Sequence, residues 1–160
     1  MGAGKSTVGK QLAEINEYSF LDTDQWIEEK EGKRIAEIFG LKGEQYFRDL
    51  ETGCIRQLLL EEKGKVIAVG GGLPIKEENR KILKQLGMVV YLKGKPETIY
   101  ERVKGDKNRP LLQIEDPKSK IREMMQEREG YYREAADLIL TIEGKTVEEI
   151  ISEIPITLLP

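Results

Sequence analysis

The sequence predicts an α/β fold in which a parallel sheet is covered by helices on both faces. Short β-branched apolar runs alternate with helical stripes along the chain. Those runs are apolar at successive positions rather than at every second one, which marks strands buried on two faces. A glycine-rich turn also opens directly into an amphipathic helix. Val8, Leu12 and Ile15 sit at i, i+4, i+7 and form the stripe of that first helix. Phe20-Leu21 follows as a short strand, and a helix from about Gln25 carries Trp26 and Ile27. Ile35, Ile38 and Phe39 mark another helix, and Phe47, Leu50, Cys54 and Leu58 a longer one. Val66–Val69 and Met88–Leu92 are the two strongest strands, with a helix through Ile82, Leu83 and Leu86 between them. Ile99 and Val103 precede a polar loop near 104–117. A long helix follows from about Lys118, then a strand at Leu138-Ile139-Leu140 and a last helix on Val147, Ile150, Ile151 and Ile154. No repeat or Ser/Gly linker interrupts the alternation, so residues 1–160 read as a single domain.

Composition narrows the chemistry. Of the 160 residues, 39% are hydrophobic and 34% charged, and 26 basic side chains nearly balance 29 acidic ones, for a net charge of −3. No apolar run approaches the roughly 20 residues needed to cross a bilayer. The near balance predicts neither a nucleic-acid nor a membrane partner. A single cysteine, Cys54, excludes an intramolecular disulfide framework, and a cytoplasmic location is expected. There is no histidine, which excludes imidazole-based triads and His-ligated zinc. Any proton acceptor must be a carboxylate, lysine or tyrosine.

Residues 2–7 read Gly-Ala-Gly-Lys-Ser-Thr, the latter part of the phosphate-binding signature GxxxxGK[ST]. Glycines let backbone N–H groups approach phosphate oxygens, and the helix N-terminus favours negative charge. Lys5 can meet the β- and γ-phosphates, and the Ser6 hydroxyl can ligate Mg²⁺. An ordinary serine-capped glycine turn is the alternative. The signature's first glycine falls about two positions before Met1. The strand that usually delivers the chain into this loop is likewise absent from the sequence. Its loss leaves a gap between the remaining strands, and the biological start is expected to precede Met1.

Four further clusters bear on an acceptor. Asp22-Thr23-Asp24 follows the Phe20-Leu21 strand, at the sheet edge where ligands of such folds bind. Alternation sends both carboxylates the same way, one to Mg²⁺ and its waters and one to a substrate hydroxyl; a helix N-cap at Asp24 is the competing use. Arg48 can grip a carboxylate through its planar fork with Glu51 one turn on to orient it, or the two can form a surface pair of little energy. Gly70-Gly71-Gly72 permits close approach of a ligand to backbone, or a plain strand exit. In the late loop, Arg109 before Pro110 reads as a lid arginine that neutralises charge on a transferring phosphoryl group. Arg128 adds a second carboxylate clamp or a solvated helix charge.

In order and spacing, GAGKSTVG, FLDTD, IFGLKGEQYFRDLE, VIAVGGG, RPLL and ER-x-x-x-Y-R-E-A-A-D resemble the shikimate kinase family over essentially the whole chain. The resemblance implies a three-layer α/β/α P-loop kinase of the nucleoside-monophosphate-kinase type. Its central parallel sheet has the order 2-3-1-4-5, with strand 1 missing here, a mobile lid at about 104–117 and a shikimate-binding segment at about 24–51. It implies ATP-dependent phosphorylation of the 3-hydroxyl of shikimate with Mg²⁺, by a cytoplasmic enzyme that usually works as a monomer. Carried over by position, Gly2, Ala3, Gly4, Lys5, Ser6 and Thr7 would bind the ATP phosphates. Ser6 would hold Mg²⁺, with Asp22 reaching it through water. Asp24 would bind the acceptor hydroxyls and take the proton, making Lys5, Asp24 and Arg109 the catalytic set. Arg48 and Arg128 would hold the shikimate carboxylate, Gly70, Gly71 and Gly72 would meet the substrate through backbone, and Phe39 and Phe47 would wall the ring. Arg102, Arg109 and Lys145 would surround ATP. Lys145-Thr146-Val147 departs from relatives that carry arginine or glutamine first and proline third, which bears only on the adenine side. A gluconate or adenylate kinase of the same fold, or a nucleotide-dependent switch that phosphorylates no small acceptor, are the competing readings.

Overall fold

A computed structural model of the chain describes residues 2–62, 64–105 and 112–155. The elements run α1 (Lys5–Ile15), β1 (Ser19–Asp22), α2 (Thr23–Glu31), α3 (Ile35–Leu58), β2 (Lys65–Ala68), a 3₁₀ turn (Leu73–Ile75), α4 (Glu77–Leu86), β3 (Val90–Lys93), α5 (Pro96–Val103), α6 (Pro117–Ala135), β4 (Leu138–Thr141) and α7 (Val147–Ser152). The alternation is the expected α/β pattern. The two helices expected around Ile38 and Phe47 form α3, bent at Gly43, whose φ of 80° and ψ of 172° are non-helical. Only glycine takes such a conformation without strain.

The strands form two parallel pairs. β1 pairs with β2 from Ser19↔Lys65 to Asp22↔Ala68, and β3 pairs with β4 from Val90↔Leu138 to Lys93↔Thr141. These are the two flanks of the order 2-3-1-4-5, and among the described residues no strand joins them. A groove separates the pairs. Val66, Ala68, Val90 and Leu92 line it beside Leu12 and Ile154, and Ile67, Val69 and Val89 line it beside Leu83 and Leu86.

Strand parity assigns the helical layers. Val66, Val90 and Leu92 pack with Val8 and Leu12 of α1 and with Ile150 and Ile151 of α7 in the largest apolar cluster. Val69 and Val89, of opposite parity, pack against Ile55 of α3 and against Ile82 and Leu83 of α4. A third cluster of Ile27, Ile38 and Phe47 joins α2 to α3 away from the sheet. Cys54 is fully buried and its thiol pKa is pushed up to about 12 by burial, so it is chemically quiet. Among the described residues no helix is long and apolar enough to cross a membrane.

Gly9 sets how closely α1 lies on β1. A Cβ there would come within 2.7 Å of the Phe20 ring, with Val66 behind it. Gly9→Val is therefore expected to destabilise the protein by about 1–3 kcal/mol through overpacking. Urea denaturation checks this, and an unchanged midpoint would show that the Phe20 ring yields without cost.

Candidate active site

The phosphate turn takes the shape its glycines allow. Gly2 and Gly4 have φ of 62° and 85°, and Gly4 caps α1 with its carbonyl accepting from Val8 N–H at 2.9 Å. Ala3 is buried, and the first turn of α1 carries no acidic residue of its own. A Cβ on Gly4 would sit 3.4 Å from Arg102 Nη1, which places this expected ATP-side guanidinium against the turn. Ser6 and Thr7 are exposed on α1, and Ser6 Oγ donates to Asp22 Oδ2 at 2.7 Å. The two expected Mg²⁺ residues thus present a hydroxyl and a carboxylate oxygen side by side, a hard-oxygen pair suited to Mg²⁺. Lys145 instead pairs with Glu153 at 2.7 Å. Arg109 and residues 106–111 of the expected lid lie outside the described residues.

The Asp22-Thr23-Asp24 segment corrects one expectation. Strand β1 ends at Asp22 and the helix starts at Thr23, so strand alternation does not orient the two carboxylates. The N-cap is Asp22, not Asp24: its Oδ1 accepts from Asp24 N–H at 2.9 Å and Gln25 N–H at 3.4 Å. That leaves the Asp24 side chain in the first helical turn to face the glycine turn after β2. Thr23 between them is fully buried, and its Oγ1 accepts from Gly70 N–H at 3.0 Å.

The triple glycine is where the acceptor-side residues meet. A Cβ on Gly70 would lie 2.7 Å from Glu51 Oε1 and 2.8 Å from Asp24 Oδ1, so both carboxylates close on one point of backbone. A Cβ on Gly72 would overlap the Arg48 guanidinium, which lies against that residue. Arg48 is held by Glu51 at 2.8 Å and Glu44 at 3.0 Å, and stands 5.5 Å from the centre of the Phe47 ring. The surface-pair alternative fails, because the Arg48 side chain is 13% exposed and that of Glu51 1%. Burial works against the charge of Arg48, but Glu51 and then Glu44 outweigh it and its pKa is raised. Burial also raises the Glu51 pKa; Arg48 opposes, Asp24 adds to the rise and Arg128 opposes it more weakly. Arg128, buried on α6, lines a small hollow with Ala3 of the phosphate turn and with Tyr132. Phe39 and Phe47 stack with centroids 4.9 Å apart at 45°, Phe47 buried and Phe39 half-buried.

Ala3 and Lys5 of the phosphate turn line one cleft together with Gly70, Gly71 and Tyr132. The glycine turn on which Asp24 and Glu51 close therefore shares a cleft with the phosphate turn. Sequence reading gave no role to four of its residues. Thr23 and Tyr132 grip the glycine turn by hydrogen bonds, and Asn79 and Arg80 of α4 hold its far end through the carbonyls of Leu73, Pro74 and Ile75. Tyr132 lies in the quoted motif, but no local spacing reveals a partner 61 residues away.

A family profile described as shikimate kinase matches residues 1–158. A shikimate kinase from Persephonella marina is 46% identical over 154 residues, covering 96% of this chain and 92% of that protein. Another from Chromobacterium violaceum is 42% identical over 154 residues, covering 96% and 83%. Among solved structures, shikimate kinase from Acinetobacter baumannii in complex with shikimate is similar at a TM-score of 0.91 and 41% identity, covering 95% of this chain and 84% of that one. Likeness of this depth along nearly the whole length, with the phosphate turn and the glycine turn on one cleft, means that the chain belongs to the shikimate kinase family.

Proposed function

We propose that the protein is a cytoplasmic, monomeric shikimate kinase that transfers the γ-phosphoryl group of ATP to the 3-hydroxyl of shikimate, giving shikimate 3-phosphate and ADP. The observation that carries this reading is the convergence of Asp24 and Arg48 on the triple glycine, whose Gly70 and Gly71 line a cleft together with Lys5. Shikimate is a carboxylated polyol, so its kinase needs cations for the acid group and an anion for the alcohols. Arg48 and Arg128 supply the first and Asp24 the second.

In this reading Gly2 to Thr7 cradle the ATP phosphates by backbone N–H groups, and the Lys5 ammonium neutralises their charge. Mg²⁺, held by Ser6 and by Asp22 through water, would lower the charge between the β- and γ-phosphates. Arg48 and Arg128 fix the ring by its carboxylate, and Phe39 and Phe47 limit its rotation. Asp24 accepts the proton of the hydroxyl as the new oxygen–phosphorus bond forms and ADP departs. Phosphoryl transfer asks mainly for alignment and charge stabilisation, which is why a chain with no histidine can perform it.

The decisive assay offers shikimate, gluconate and nucleoside monophosphates in turn and follows ADP release. Stimulation by shikimate alone is expected, and no stimulation by any acceptor would favour a nucleotide switch. Asp24→Asn is expected to lower kcat by about 100-fold or more while ATP binding stays within about twofold. Arg48→Ala is expected to raise the shikimate KM about tenfold or more with the ATP KM unchanged. Near-normal kinetics in both variants would remove the assigned roles. Gly72→Ala drives a methyl into the space of the Arg48 guanidinium. It should raise the shikimate KM in the same direction as Arg48→Ala, and steady-state kinetics at saturating ATP read the effect.

A further inference from the structure

The glycine turn is pinned at successive peptide groups. Gly70 N–H is taken by Thr23 Oγ1 at 3.0 Å, and Gly70 O accepts from Leu73 N–H at 3.1 Å. Gly72 O accepts from Ile75 N–H at 3.2 Å. Gly71 O accepts the Tyr132 hydroxyl at 2.6 Å, a short bond spanning from α6 to the turn. Among the described residues the Gly71 N–H is paired with no acceptor. It is the donor that this arrangement leaves at the cleft lined by Lys5, Gly70, Gly71 and Tyr132.

The Tyr132 ring is held from its other side. It packs on Tyr91 with centroids 5.1 Å apart at 56°, and Tyr91 is anchored by donating to Glu129 at 2.7 Å. Burial raises the Tyr132 pKa, while Arg128, one turn earlier on α6, acts on the same hydroxyl and lowers it. A phenol has one proton and two lone pairs. Its proton goes to Gly71 O, so the oxygen can accept from the Arg128 side. The same hydroxyl fixes the Gly71–Gly72 peptide, and the Arg48 guanidinium lies against Gly72.

We infer that Tyr132 is a positioning residue for acceptor binding: its hydroxyl holds the Gly71 carbonyl, and with it the Gly71–Gly72 peptide on which the Arg48 guanidinium rests. This rests on the proposed shikimate kinase reading. The residue touches neither phosphate nor the reacting hydroxyl. Its loss therefore acts on acceptor affinity rather than on nucleotide affinity or the chemical step.

The test is Tyr132→Phe, which keeps the ring and removes only the hydroxyl. Activity of the unchanged protein with shikimate is measured first; if it is absent, the functional reading fails independently of Tyr132. Given that activity, Tyr132→Phe should raise the shikimate KM about fivefold, the scale of one neutral hydrogen bond. The ATP KM and kcat should stay within about twofold. A shikimate KM unchanged in Tyr132→Phe overturns the inference. So does a parallel rise of both Michaelis constants with a fallen melting temperature, which would mark the hydroxyl as general packing support.

Discussion

The absence of two Cβ atoms, at Gly70 and Gly72, is the constraint on which the acceptor side of the site depends. Asp24 and Glu51 close on the first position, and the Arg48 guanidinium lies on the second. Three charged side chains can reach one short stretch of backbone only because nothing projects from it. Side chains at these positions would push the carboxylates and the guanidinium apart and open the cluster to water. The turn must also be rigid, since glycine costs more conformational entropy to order than any other residue. Hydrogen bonds from Thr23, Tyr132, Asn79 and Arg80 supply that rigidity from three different helices.

The same economy links the two halves of the cleft. Asp22 accepts from Ser6 at the phosphate turn with one carboxylate oxygen and caps α2 with the other. Thr23, the next residue, holds Gly70. Two adjacent residues at the end of β1 thus tie the phosphate turn and the glycine turn to one another by hydrogen bonds. Alignment of this kind is what phosphoryl transfer chiefly requires.

Much of this was legible in the sequence because the signals are local. GKST before an amphipathic stripe marked the phosphate turn, and unbroken apolar runs marked strands buried on two faces. The pairing of strands into two flanks was legible through resemblance alone. What escaped depended on one-residue offsets or long separations. Asp22 rather than Asp24 caps α2, because β1 stops at Asp22, two residues short of Asp24, and the helix begins at Thr23. Lys145 meets Glu153, a pairing made by the turn into α7. Tyr132 reads as one more aromatic on an amphipathic helix until α6 is docked against the glycine turn.

Glu51 shows how a buried charge can be explained without appeal to stability. A buried ion pair is weak evidence of net stabilisation, since desolvation of both partners offsets most of their attraction. Here Glu51 is almost wholly enclosed, its pKa is raised by that burial, and its Oε1 has no hydrogen-bond partner among the described residues. A protein selected for stability alone would do as well with an apolar residue. The pair makes sense as an orienting device: Glu51 occupies one edge of the Arg48 fork and Glu44 another, which turns the guanidinium against Gly72. An arginine so fixed loses little side-chain entropy when a carboxylate arrives. The energetic cost of burying Glu51 thus falls on the folded protein before the acceptor binds rather than on the binding step.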